Sequence, residues 1–137
     1  MSPLRAFLAR PEWTACFDAA VDGASRFEVD VESLGAKTVL RVRGDVDISN
    51  LASWRCVLAE ASNATAPDGV LVVDVDAAGF LGLCTFTALA VLSEVCRRRD
   101  IALRLVSAKP SIARIVALCQ WQNELPVFPT VSAAVDE

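Results

Sequence analysis

Histidine is absent from all 137 residues of the sequence. That excludes His-based catalytic triads, phosphohistidine relays and most zinc sites together, because imidazole is the usual base, phosphoacceptor or nitrogen ligand in each. No GxxxxGK[ST], GxGxxG or GxSxG occurs either, so glycine-cradled phosphates and nucleophile elbows lack their loops. Neither an enzyme, a cofactor nor a bound metal is expected. Five cysteines (Cys16, Cys56, Cys84, Cys96 and Cys119) show no CxxC or other metal spacing and are odd in number. Reduced, mostly buried thiols are the expectation for such a set. No apolar run approaches the ~18–20 residues of a membrane span. The opening "MSPLRAFLARPEWTACF" is broken by Pro11 and Glu12 and makes a poor secretory signal. A basic stripe is missing too: the formal net charge is −4 and the pI is near 4.8. This balance speaks against nucleic acid and leaves room for an acidic face that docks a basic protein. A soluble, cytoplasmic protein with neither nucleic acid nor membrane as partner is expected.

What is present is apolar residue in quantity, 54% of the chain, with a mean hydropathy of +0.44. The length favours one domain with a real core. Pro11 could open a helix with Trp13, Cys16, Phe17, Ala20 and Val21 on one face at i, i+3, i+4 spacing, ended by Gly23. Phe27, Val29 and Val31 alternate with charges over 27–32, as a half-buried strand does, and "SLGAK" turns into a second strand, "TVLRVRG". Ser49 or Asp47 can cap a helix whose Leu51, Trp54, Val57, Leu58 and Ala61 make one stripe. "VLVVDV" is apolar on both faces, which predicts a central parallel strand. A helix over 83–98 follows, with Phe86, Leu89, Ser93 and Cys96 on one line and Arg97–Arg99 as a solvated end at the negative helix pole. "IALRLVS", a helix from Pro110, the short strand "LPVFP" and a terminal helix stub complete the chain. Alternation of this kind is α/β: a single domain over 27–137, a mixed four- to five-stranded sheet covered by helices, with an N-terminal helical extension over 1–26.

Three blocks, in this order, carry a resemblance. "GDVDISNLASWRCVL", "VLVVDVDAAGFLGLCTFTAL" and "RRRDIALRLVSAKPSIARIVALCQWQNELPVFPTVSAA" are similar to the STAS domain family of anti-sigma factor antagonists. They look like its entry to the first helix, its strand leading to a phosphorylation elbow, and its C-terminal strands and helices. The resemblance implies a small regulator that binds the ATPase- or kinase-like domain of an anti-sigma factor and so frees a sigma factor. It also implies a switch: the partner phosphorylates the first serine of an Asp-Ser-Ser-Gly elbow, adding about −1.5 to −2 charges. Laid without gaps from Asp74 through Phe80, that elbow reads Gly82, Leu83, Cys84, Thr85, Phe86 here. The aspartate has become Gly82, and the serine has become Leu83, which cannot accept phosphate.

Three readings follow. In the first, the domain is a constitutive antagonist whose docking surface combines Asp47, Ser49 and Asn50 with Gly82, Leu83, Cys84, Thr85 and Phe86, the apolar Leu83 and Phe86 at its centre. In the second the switch has changed, with Cys84 made reactive at a helix start. In the third this stretch only caps a helix. Bridged Cα atoms lie within about 7 Å, which makes Cys96 with Cys119 the more plausible redox pair, against unreactive core thiols as the plainer account. A nucleotide- or anion-sensing domain and a scaffold subunit of a regulatory assembly are the alternatives in other classes. Trp54 is expected in the core and Trp121 exposed in its polar "QWQN" setting. Trp13 and Phe17 are expected to be covered by the sheet's open side, by a homodimer contact or by a partner.

Overall fold

The computed structural model describes residues 27–136. The helix expected around Pro11 lies outside them. Strand β1 (Phe27–Leu34) turns through Gly35, at φ +65°, into β2 (Lys37–Val46). A 3-10 turn (Ile48–Asn50) leads into α1 (Leu51–Asn63), then β3 (Val70–Asp74), β4 (Ala78–Leu81) and α2 (Leu83–Arg98). The chain closes with β5 (Ala102–Val106), α3 (Pro110–Leu118), β6 (Val127–Phe128) and α4 (Val131–Asp136). The sheet runs β1-β2-β3-β5-β6, antiparallel at β1–β2 and parallel beyond it. The four- to five-stranded expectation holds for this path, and β4, which the sequence did not announce, adds a sixth strand by pairing with β2. It takes over from β3 along β2: Lys37–Arg41 face β3, while Gly44 and Val46 face β4.

Alternation puts Phe27, Val29, Val31, Leu40 and Val42 on the face covered by the helices, where Trp54, Leu71, Phe86, Leu89 and Leu105 join them in one core. Trp54 is fully buried as expected, but Trp121 is half-buried against this core rather than exposed. Val72 points the other way, with Val39 and Val106, into a small patch that α4 closes through Ala134. Lys37 Nζ and Arg104 Nη1 donate to the Val135 and Ala134 carbonyls at the end of α4, satisfying oxygens that a helix C-terminus leaves without partners. The rest of that sheet face is charged. Arg41 Nη1 meets Glu32 at 2.9 Å, and Arg43 meets Asp30 at 2.5 Å and Glu28 at 3.1 Å. The arginine run divides at the end of α2. Arg97 and Arg98 pair with Glu94 in solvent, whereas Arg99 Nη1 donates to the Ser62 carbonyl at 2.7 Å and ties α2 to α1.

Asp74, at the end of β3, is partly buried, and this burial holds its carboxyl above the ordinary 3.8 despite the Asp76 amide and Arg41. A folded-state value raised above the unfolded one means that the native state binds the proton more tightly. Stability therefore falls as pH rises through the interval just above 3.8, and the loss is complete at neutral pH. Asp74→Asn removes the titration and keeps an oxygen for the Asp76 N–H, which bonds Oδ1 at 2.9 Å. Urea unfolding at neutral pH is expected to find the variant at least as stable as wild type, with the gap closing in acid. A variant less stable at neutral pH would mean that the Arg41 attraction, across 4.0 Å, outweighs burial.

Candidate functional site

Two turns meet at the edge of the sheet where β2 and β4 end. Asp47 caps the 3-10 turn: its Oδ1 accepts from Ser49 N at 2.9 Å and from Ser49 Oγ at 2.5 Å. Asn50 closes the loop from inside, its Oδ1 accepting from Asp47 N at 2.9 Å and its Nδ2 donating to the Asp45 carbonyl at 3.0 Å. On the other side, Phe80 N–H donates to Asp45 Oδ1 at 2.8 Å, and Gly82 N–H donates to the Val46 carbonyl at 2.8 Å. A Cβ at Gly79 would stand 2.5 Å from Asp45 Oδ1, so a larger residue there would have to displace the carboxylate that accepts from Phe80 N–H. Gly82 is not so confined. A Cβ at Gly82 would find only ordinary contacts, at 3.6 Å, with Asp47 Cα, Cys84 Sγ and Phe80 Cε2. Those three contacts mark where the two predicted segments come together.

The structure divides the predicted residues into a surface set and a supporting set. Leu83 is 62% exposed and Ser49 is exposed, while Asp47, Gly82 and Cys84 are partly so. Asn50, Thr85 and Phe86 are buried, which corrects the expectation that they touch a partner. Phe86 lies in the core with Leu89 because α2 turns that stripe toward the sheet. Thr85 Oγ1 faces the Val46 carbonyl at 3.4 Å, and its own carbonyl accepts from Trp54 Nε1 at 3.3 Å, so it fixes the start of α2. Two residues not predicted belong to the surface instead: Ile48, 77% exposed, and Phe80, 61% exposed. Each is a large apolar side chain next to residues tied down by hydrogen bonds, a placement that no sequence signal announces.

The edge thus has apolar side chains at its centre and acidic groups around them. Asp76 Oδ1 accepts from Ala108 N at 2.8 Å, and Lys109 Nζ is drawn back to the Ala78 carbonyl at 2.7 Å. Such a surface suits a protein partner, with apolar anchors inside a polar rim. Cys84 is a free, partly exposed thiol beside Gly82. Cys96 and Cys119, the more plausible redox pair beside the plainer account of unreactive core thiols, are both free thiols. Cys96 is buried with its Sγ 3.8 Å from Ser62 Oγ, and burial raises its pKa, which disfavours the reactive thiolate. Cys56, by contrast, is disulfide-bonded, which corrects the expectation of reduced thiols for that residue. Among the described residues no group of His, Cys, Asp or Glu could hold a metal ion, and no helix is long and apolar enough to cross a membrane.

Comparison with known proteins adds three kinds of likeness. The model of the STAS domain family matches residues 28–134. Rv2638 of Mycobacterium tuberculosis is 37% identical over 114 residues, which are 83% of this chain and 77% of that protein. RsfA of the same species, an anti-sigma-F factor antagonist, is 31% identical over 125 residues, 91% of this chain and 96% of its own. The crystal structure of an anti-sigma factor antagonist from Mycobacterium paratuberculosis shares the fold, with a TM-score of 0.69 at 23% identity over 81% of this chain and 95% of that one.

Proposed function

This chain belongs to the STAS domain family, and on that premise we propose that it is an anti-sigma factor antagonist that docks on the ATPase-like domain of its anti-sigma factor and leaves a sigma factor free. The docking surface is the β2–β4 edge: Asp47 and Ser49, with Gly82, Leu83 and Cys84, joined by Ile48 and Phe80. One observation carries this reading. Ile48, Phe80 and Leu83, three of the most exposed large apolar side chains described, share the edge that the family resemblance marks, and exposed apolar groups clustered there need a use.

Leu83 occupies the position of the phosphorylated serine, so the partner cannot weaken its own complex by modifying this residue. Thr85 does not replace the serine, because its hydroxyl is buried against the Val46 carbonyl. The antagonist is therefore constitutive with respect to ATP. A thiol control at Cys84 is the second reading, supported by its exposure beside the same surface. The domain proper spans residues 27–137, with residues 1–26 as an extension, a division in keeping with the family match over residues 28–134.

A binding titration against candidate anti-sigma ATPase domains, before and after incubation with ATP, tests both halves of the reading. The affinity is expected to be unchanged by ATP under reducing conditions. Loss of binding after ATP, with phosphate found on this chain, would overturn the constitutive reading. Binding to none of the candidates would overturn the antagonist reading and favour a ligand sensor or a scaffold subunit.

A further inference from the structure

A second apolar surface lies away from this edge. Helices α1 and α2 run parallel: Trp54 Nε1 meets the Thr85 carbonyl near their starts, and Arg99 Nη1 donates to the Ser62 carbonyl at their ends. Between them lies an open groove of about 340 Å³, within the roughly 300–1,000 Å³ of small-molecule sites. Leu58, Ala88 and Leu92 are buried at its base, while Ala59, Val91 and Val95 are exposed along it. Ala59 and Ala88 bring only a methyl group each, which leaves the room. Val91 is 63% and Val95 43% exposed. The ends are polar. Arg55 and Thr87 line the end near the helix starts and Asn63 the other, about 12 Å away along α1 at ~1.5 Å per residue. Among the described residues no aspartate or glutamate lines the groove. Arg55 is exposed, and its guanidinium has neither a hydrogen-bond nor an ion-pair partner among the described residues.

We propose that this groove binds a medium-chain aliphatic carboxylate, its head on Arg55 and its alkyl chain lying between α1 and α2 toward Asn63. Charge complementarity selects the head group. A single guanidinium matches the one charge and the forked oxygens of a carboxylate. A phosphate monoester carries about −1.5 to −2 charges and calls for a second cation, which the groove lacks. Arg99 is held by the Ser62 and Thr65 carbonyls, and Arg97 and Arg98 pair with Glu94. The lining selects the tail. Between its polar ends it consists of leucine, valine and alanine with no aromatic ring, so an alkyl chain finds its like and a planar ligand finds nothing to stack on. Covering Val91 and Val95 removes apolar surface from water, which drives the chain in. The groove lies apart from the β2–β4 edge, and the proposal does not rest on the antagonist reading.

The full-length chain, titrated with decanoate below its micelle-forming concentration and followed by methyl NMR, is expected to show saturable shifts at Val91 and Val95. Decanamide has the same chain length and no charge. It is expected to bind about tenfold more weakly, the worth of a charge-assisted hydrogen bond. Arg55→Gln, a change at an exposed position outside the core, is expected to erase this difference by bringing decanoate down to the level of decanamide. Equal affinity of wild type for the two probes would overturn the carboxylate assignment, as would full decanoate binding by Arg55→Gln. Val91 and Val95 methyls unmoved by decanoate would overturn the site itself. Shifts of these methyls that follow protein concentration without decanoate would overturn it in favour of a second copy seated in the groove.

Discussion

Trp54→Ala is expected to cost about 3–5 kcal/mol of stability, the range for deleting a large buried aromatic ring. Trp54 is fully buried in the main core, packs edge-on against Phe27, and donates Nε1–H to the Thr85 carbonyl at 3.3 Å. One side chain therefore joins β1, α1 and the first turn of α2. Trp54→Phe keeps most of the apolar contact and removes the donor. The Thr85 carbonyl sits in the first turn of a helix and retains its intrahelical partner, so this change should cost less than the alanine one: about 1 kcal/mol for the hydrogen bond, plus a smaller cavity term for the space the indole leaves. Urea unfolding followed by far-ultraviolet circular dichroism separates the two effects, provided the slope with denaturant is unchanged. An alanine variant within about 1 kcal/mol of wild type would show that neighbouring side chains collapse into the space. The consequence also reaches the docking edge, because Thr85 anchors the turn that presents Leu83 and Cys84.

The residues reveal their own positions wherever local pattern and tertiary need agree. Charge alternation identified β1, the two-faced apolar run identified central β3, and α2 begins at Leu83 and ends at Arg98 as its periodicity predicts. Strand β4 was illegible because nothing local makes it a strand. Four residues with a glycine among them pair with β2 only because the Asp45 side chain and the Val46 carbonyl accept from Phe80 and Gly82. The end of β2 was misplaced for a related reason. Gly44 reads as a strand stop, yet the chain continues through it, at φ +95°, to Val46. Phe86 shows two signals in conflict. Its spacing with Leu89 and Cys96 already assigned it to the core, while its place in the elbow suggested a contact, and packing decided for the core. Ile48 and Phe80 were missed because hydrophobicity in a turn or a four-residue strand carries no information about sidedness. Only the fold supplies that. The cysteines expose the same limit: nothing in the sequence distinguished Cys56, which is bonded, from Cys96 and Cys119, which are the free thiols that the plainer account expected.

Leu83→Arg is expected to weaken anti-sigma factor binding by about 30-fold or more, corresponding to the ~2 kcal/mol that marks a central interface anchor. Leu83 is 62% exposed at the first position of α2, so the same change should alter folding stability by no more than about 0.5 kcal/mol. An arginine there also stands against the basic partner that an acidic rim selects, which adds to the loss of affinity. Phe80→Ala and Ile48→Ala should follow with smaller losses. Leu83→Ser separates the apolar role from the missing hydroxyl. It forfeits the anchor but restores a phosphate acceptor at a helix start, beside the open position at Gly82, where a Cβ would meet nothing closer than 3.6 Å. If the anti-sigma factor is also a kinase, Leu83→Ser binds more weakly than wild type without ATP and loses further affinity with it, whereas wild type is indifferent to ATP. Equal affinity of wild type and Leu83→Arg would place the contact elsewhere on the molecule. ATP sensitivity confined to Leu83→Ser would locate the loss of control in one side chain, on an otherwise intact surface.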